Sequence, residues 1–147
     1  INTTMKILHI EDYDKEKEKN FSLALKQLIP EHELKNIEYL EDLYKENLKE
    51  YDFFILDGQF PKDRNSEPDV KSFQAAIQYL LDNKIIQDKI IVWSNSTRVH
   101  KLSSELGLRY FSKKDLSVEY YKNKEIDPKF MAEKADEAKI SQIIKAL

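Results

Sequence analysis

The stretch Tyr51 to Pro61, YDFFILDGQFP, decides the fold. Phe53, Phe54, Ile55 and Leu56 form an apolar run that stops at Asp57; Gly58 follows at once, and Pro61 closes the segment. A short continuous run of aromatic and β-branched residues, bounded by turn formers, reads as a strand buried on both faces, as in a parallel sheet. Asp57 then stands at the carboxyl end of a central strand. Open α/β sheets hold their ligands at that edge.

Runs of the same kind lie on either side. Lys6 to Ile10 reads as a second buried strand, ending at the acidic pair Glu11 and Asp12. From Tyr13 the pattern turns helical, with Phe21, Ala24, Leu25 and Leu28 on one face, until Pro30 forbids continuation. Glu33 to Tyr39 is weaker, with Leu34, Ile37 and Tyr39 among polar residues, and suits a half-buried edge strand. A short charged helix around Glu41 to Lys49 leads back to Tyr51.

Beyond Pro61 comes a polar loop, KDRNSEPD, whose Pro68 suits a helix start. Val70, Phe73, Ala76, Ile77, Leu80 and Leu81 recur at helical spacing through about Asn83. Ile90 to Trp93 forms the next apolar run and closes on Ser94. Ser96 or Thr97 would cap a helix carrying Val99, Leu102 and Leu106, with Gly107 just past its end. Arg109 to Ser112 is a final short strand, followed by Lys113 and Lys114. Phe130, Met131, Ala135, Ala138, Ile143, Ile144 and Leu147 make an amphipathic terminal helix. Five strand–helix pairs predict an α/β fold, a doubly wound parallel sheet with helices on both faces. Periodicity leaves the strand order open.

Composition narrows the function. The chain of 147 residues suits one domain, large enough to bury roughly two-thirds of its unfolded surface. A net charge of -3 gives no basic field, so no direct nucleic-acid contact is expected. There is no cysteine for a disulfide or a thiolate metal site. No apolar run approaches the roughly 18 residues of a membrane span, and no secretory signal pattern opens the chain, so a cytoplasmic protein with no membrane partner is expected. Ile1 to Thr4 precede Met5 and read as an expression-vector remnant outside the fold.

In this layout four strands end in polar groups at one edge: Glu11 and Asp12, then Asp57, then Ser94, then Lys113. Three carboxylates brought together repel one another, and a divalent cation resolves that. Oxygen-only ligands favour Mg²⁺, which typically takes one or two carboxylates together with a phosphate and waters. One carboxylate oxygen can then act as a nucleophile toward phosphorus. Lys113 would balance charge on the transferred phosphoryl oxygens, and the Ser94 hydroxyl could donate to one of them. The set suits phosphoryl transfer to an aspartate. Single residues have blander uses: Glu11 and Asp12 as a strand end or helix cap, Asp57 as the turn former of an Asp-Gly pair. Ser96 or Thr97 would be the hydroxyl if the strand runs longer, and Lys114 competes with Lys113. Trp93 reads as packing, and His9, His32 and His100 lack ligand spacing.

ILHIED, FFILDGQFP, IIVWS and LGLRYFSK, in this order, resemble the receiver domain of the two-component response regulator family, over roughly Met5 to Lys113. Each motif is short, and in combination they are fairly specific. The resemblance implies a flavodoxin-like sheet of strand order 2-1-3-4-5, with residues 5–147 as the receiver domain. It implies that Asp57 accepts a phosphoryl group from the phosphohistidine of a histidine kinase or phosphotransfer protein, or from a small phosphodonor. Glu11, Asp12, Asp57 and the backbone carbonyl of Gln59 would surround Mg²⁺. Ser94 and Tyr110 would shift inward on phosphorylation and reshape a face that binds a downstream protein or output domain. A homodimer through that face, and a place as a piece of a larger regulator, are both left open.

Lys114 stands where the family usually has proline, the loop after Pro61 is longer and lacks the usual glycine, and 115–128 reads as an extended segment before a terminal helix over 129–146. These departures permit a phosphorylation-independent interaction module. A phosphohydrolase of the haloacid dehalogenase type is the third reading. It calls for a second acid two residues after the nucleophile, where this chain has Gln59, and for a nucleophile after the first strand.

Overall fold

A computed structural model describes residues 4–12, 22, 25, 26 and 29–111. Five strands form one sheet in the order β2-β1-β3-β4-β5: β1 Lys6–Ile10, β2 Glu33–Ile37, β3 Phe53–Leu56, β4 Ile90–Trp93 and β5 Arg109–Phe111. Every neighbouring pair is parallel. The three inner strands are the apolar runs, and every residue of β3 and β4 is buried. The edge strand β2 alternates exposed Glu33 and Lys35 with the half-buried Leu34 and Asn36. A strand covered on two faces needs apolar residues at every position, whereas an edge strand does not.

Alternation along each strand divides the core in two. Leu8, Ile10, Phe54, Leu56, Ile90 and Val92 face Leu40, Leu43, Phe73, Ala76, Ile77, Leu80 and Val99. Ile7, Phe53, Ile55, Ile91 and Trp93 face the other way, with Leu25 and Ile29. Leu25 is helical, so helical residues pack on both faces. The doubly wound sheet and the order 2-1-3-4-5 expected from the sequence are both present.

Helix ends show where local signals were sufficient. The Val70–Asp82 helix covers the expected span, but its cap is Asp69, whose side chain accepts from the Lys71 N–H. Pro68 therefore precedes the cap rather than opening the first turn. The Thr97–Glu105 helix is capped by Ser96, which accepts from the Val99 N–H. Gly107, just beyond, takes φ of 69°, a left-handed turn that glycine adopts at least cost. The charged helix expected over 41–49 is shorter: an α-helix at Leu40–Leu43 and a 3₁₀ turn at Leu48–Glu50. The terminal helix, the extended segment 115–128, Lys113, Lys114 and most of the first helix lie outside the described residues.

Candidate functional site

The acidic edge is assembled by the pairing of β1 with β3. Ile10 stands opposite Leu56, so the chain leaves both strands side by side, at Glu11 and at Asp57. The Asp57 N–H donates to the Ile10 carbonyl at 2.9 Å, and the Glu11 N–H donates to the Ile37 carbonyl at 3.0 Å. Glu11 is buried, while Asp12 and Asp57 are half-buried. The Gly58 N–H donates to Asp57 Oδ1 at 2.7 Å, which fixes the orientation of that carboxyl group. Gln59 is exposed immediately after.

Ser94 comes to the same edge from β4 and is buried. Its N–H donates to the Phe111 carbonyl at 3.0 Å, and its hydroxyl oxygen accepts from the Ser96 N–H at 3.1 Å. A Cβ placed on Gly58 would stand 2.5 Å from Ser94 Oγ and 2.6 Å from Val99 Cγ2. Only a glycine lets the backbone after Asp57 come so near Ser94. Tyr110 lies on β5, 42% exposed. Lys113, assigned the phosphoryl charge, is outside the described residues.

The loop after Pro61 is built into the fold. The Pro61 and Lys62 carbonyls accept from the Leu40 and Glu41 N–H groups at 3.1 and 3.0 Å, capping the short Leu40–Leu43 helix. Asp63 Oδ1 accepts from the Asn65 N–H at 2.9 Å and the Ser66 hydroxyl at 2.7 Å. Ser66, then Asn65, hold the Asp63 carboxyl below its usual range. Arg64 reaches Glu41 at 2.6 Å and Asp42 at 3.7 Å, and lies over the Tyr39 ring.

Two residues that no sequence pattern singles out hold this edge. Asn36 Nδ2 lies 3.1 Å from the His9 carbonyl and 3.2 Å from those of Glu11 and Ile37, tying the end of β2 to the turn that carries the acids. His100 lies between Ser94 and Tyr110. A polar residue in an edge strand and a histidine on a helix have many commoner uses, so their roles depend on contacts distant in sequence. His9 packs in the core, within 3.1 Å of Ser22 and stacked on Trp93.

Among the described residues no three histidine, aspartate or glutamate side chains are grouped to hold a metal ion by themselves. Mg²⁺ does not require such a group, since it takes one or two carboxylates and keeps several waters. Asp12 and Asp57 are half-buried oxygen donors on adjacent strand ends, a donor set of the kind Mg²⁺ uses. No helix among the described residues is long and apolar enough to cross a membrane.

A parallel sheet of this order, with its acids after the first and third strands, has the flavodoxin-like fold of response regulator receiver domains. The chain is similar to the signal receiver domain of a LuxO repressor protein from Vibrio parahaemolyticus, with TM-score 0.52 and 14% identity over 97% of this chain and 98% of that one. It is also similar to the RcsB response regulator of Salmonella typhimurium, with TM-score 0.54 and 12% identity over 98% of this chain and 68% of that one. A second RcsB structure gives TM-score 0.51 and 14% identity, covering 90% of this chain and 66% of that one. No protein-family model matches the sequence, and no curated protein is similar to it at a significant level.

Proposed function

We propose that the chain is a response regulator receiver that takes a phosphoryl group on Asp57 and signals through a changed protein-binding face. The observation that carries this reading is the position of Asp57. It leaves the central strand β3 beside Glu11 and Asp12, with its N–H held by Ile10 and its carboxyl oriented by Gly58. The carboxyl edge of an α/β sheet is where such folds take their ligands, and Asp57 stands there.

In the step itself an Asp57 carboxylate oxygen forms a bond to phosphorus, and the bond from phosphorus to the donor breaks. The leaving group departs with the electron pair: an imidazole nitrogen for a phosphohistidine, which then takes up a proton, or acetate for acetyl phosphate. Asp12 and Asp57, with Glu11 and the Gln59 carbonyl, would hold Mg²⁺, which when bound neutralises charge on the phosphoryl oxygens. Ser94 would donate its hydroxyl hydrogen to one of those oxygens, and Lys113 would balance another. Hydrolysis at the same carboxyl would end the signal. The partners are a histidine kinase or phosphotransfer protein upstream and a downstream protein or output domain, within the cytoplasm.

Intact mass after incubation with acetyl phosphate and Mg²⁺ tests this, beside Asp57→Asn. A single phosphoryl adduct is expected in the wild-type protein, dependent on Mg²⁺ and absent from the variant. A lack of adduct, together with failure to bind beryllofluoride, would leave the fold as a phosphorylation-independent interaction module.

A further inference from the structure

His100 has no part in the chemistry proposed for Asp57, yet it joins two elements that lead away from it. The residue is half-buried in the first turn of the Thr97–Glu105 helix, where its N–H bonds to the Ser96 carbonyl at 3.1 Å. Its Nε2 lies 2.6 Å from the Ser94 carbonyl oxygen. A carbonyl can only accept, so Nε2 carries the hydrogen in this contact. The same imidazole stacks on the Tyr110 ring, with centroids 5.0 Å apart and planes inclined by 25°.

On its other side Ser94 meets Gly58 so closely that a Cβ there would stand 2.5 Å from Oγ. Gly58 in turn donates to the carboxyl group of Asp57. Asp57, Gly58, Ser94, His100 and Tyr110 therefore form a continuous series of contacts, from a half-buried carboxyl to a ring that is 42% exposed. The backbone pairing of Val92 with Tyr110 fixes the main chain of β5 but leaves the rotation of the tyrosine ring unset.

We propose that His100 is the positioning residue that couples the Asp57 corner to the exposed ring of Tyr110. The imidazole is planar and rigid, and it is constrained at one edge by a hydrogen bond and on one face by a stack. A displacement of the Ser94 carbonyl therefore turns the imidazole, and the turn either carries the Tyr110 ring along or breaks the stack. Both outcomes change the surface at Tyr110. The proposal rests on the receiver reading for what happens at Asp57, whereas the contacts from Ser94 to Tyr110 stand apart from it.

The test follows the ring resonance of Tyr110 by NMR, assigned by its disappearance in Tyr110→Phe. Two perturbations are compared, beryllofluoride with Mg²⁺, and Ser94→Ala, each in the wild-type background and with His100→Ala. Displacements are read within one background, so the constant ring-current offset of the missing imidazole cancels, and the exposure of the Tyr110 ring to a paramagnetic relaxation agent is read beside them because it does not depend on the imidazole ring current. Each perturbation is expected to move the resonance in the wild type, and loss of His100 is expected to cut the displacement to about a third or less. His100→Gln keeps a donor without the aromatic stack, and an intermediate displacement is expected. The fluorine signal of bound beryllofluoride should persist in His100→Ala.

Equal displacements with and without His100 would overturn the proposal, as would a Tyr110 resonance that ignores Ser94→Ala in the wild type. Absence of bound fluorine in the wild type would instead count against the receiver reading. The Ser94→Ala arm decides the role of His100 in either case.

Discussion

At the amino end of β1, Lys6 Nζ reaches Glu50 Oε2 at 2.8 Å and lies over the Tyr51 ring, and Tyr51 donates to Glu46, which Lys35 also contacts. At the carboxyl end of the same strand Glu11 and Asp12 follow one another, with Asp57 beside them just past β3. Opposite charges alternate at one end, and acids follow neighbouring strand ends at the other. Arrangements of the first kind stabilise a fold modestly, whereas gathering carboxylates lowers stability unless a cation binds there. The carboxyl edge is where the proposed cation would bind, and the difference can be tested at either end.

The largest effect is expected at the acidic edge. Asp12→Asn removes one negative ligand from the proposed cation site, and Mg²⁺ affinity should fall on the order of a hundredfold. Titration calorimetry reads this directly, and unchanged affinity in the variant would refute the assignment of Asp12 as a ligand.

Gly58→Ala comes next. The added methyl would meet Ser94 Oγ at 2.5 Å and both Val99 methyl groups at 2.6 and 2.9 Å, and Val99 is fully buried. Crowding of this kind costs about 2 kcal/mol, visible as a lower urea midpoint with an unchanged slope. Gly58→Ala with Val99→Ala should recover part of the loss. No destabilisation in the single variant would mean that the corner yields more readily than its packing implies.

How far these features could be read from the sequence depended on the distance over which each is determined. Strands β1, β3 and β4 were legible because double burial demands apolar residues at every position, and the acids were legible as the places where those runs stop. The Leu40–Leu43 helix was misjudged because its amino end is capped by the carbonyls of Pro61 and Lys62, while Tyr39 offers no side-chain cap. Such a cap is written some twenty residues away from the helix. Asn36 and His100 escaped for the same reason, since each becomes meaningful only beside strand ends distant in sequence. Gly58 was read as a turn, and its closeness to Ser94 added a second demand that no local pattern records.

The smallest effect belongs to the amino end, where Tyr51 is buried and donates to Glu46 Oε2 at 2.6 Å. Burial works to raise the Glu46 carboxyl, but the Lys35 ammonium and the Tyr51 hydroxyl outweigh it and hold Glu46 below its ordinary 4.5. Burial, then Glu46, push the Tyr51 phenol well above its usual value. A carboxyl lowered by folding contributes stability that is complete above 4.5 and is lost as pH falls through the folded value. Tyr51→Phe removes one of the groups that lower it, so the variant should lose about 1 kcal/mol at neutral pH. It should also show a shallower further loss between about pH 5 and pH 3 than the wild type. Urea midpoints across that range give both numbers. An equal acid-side loss in the two proteins would show that Lys35 alone holds Glu46, and the amino end would then be a plain ion pair rather than a network.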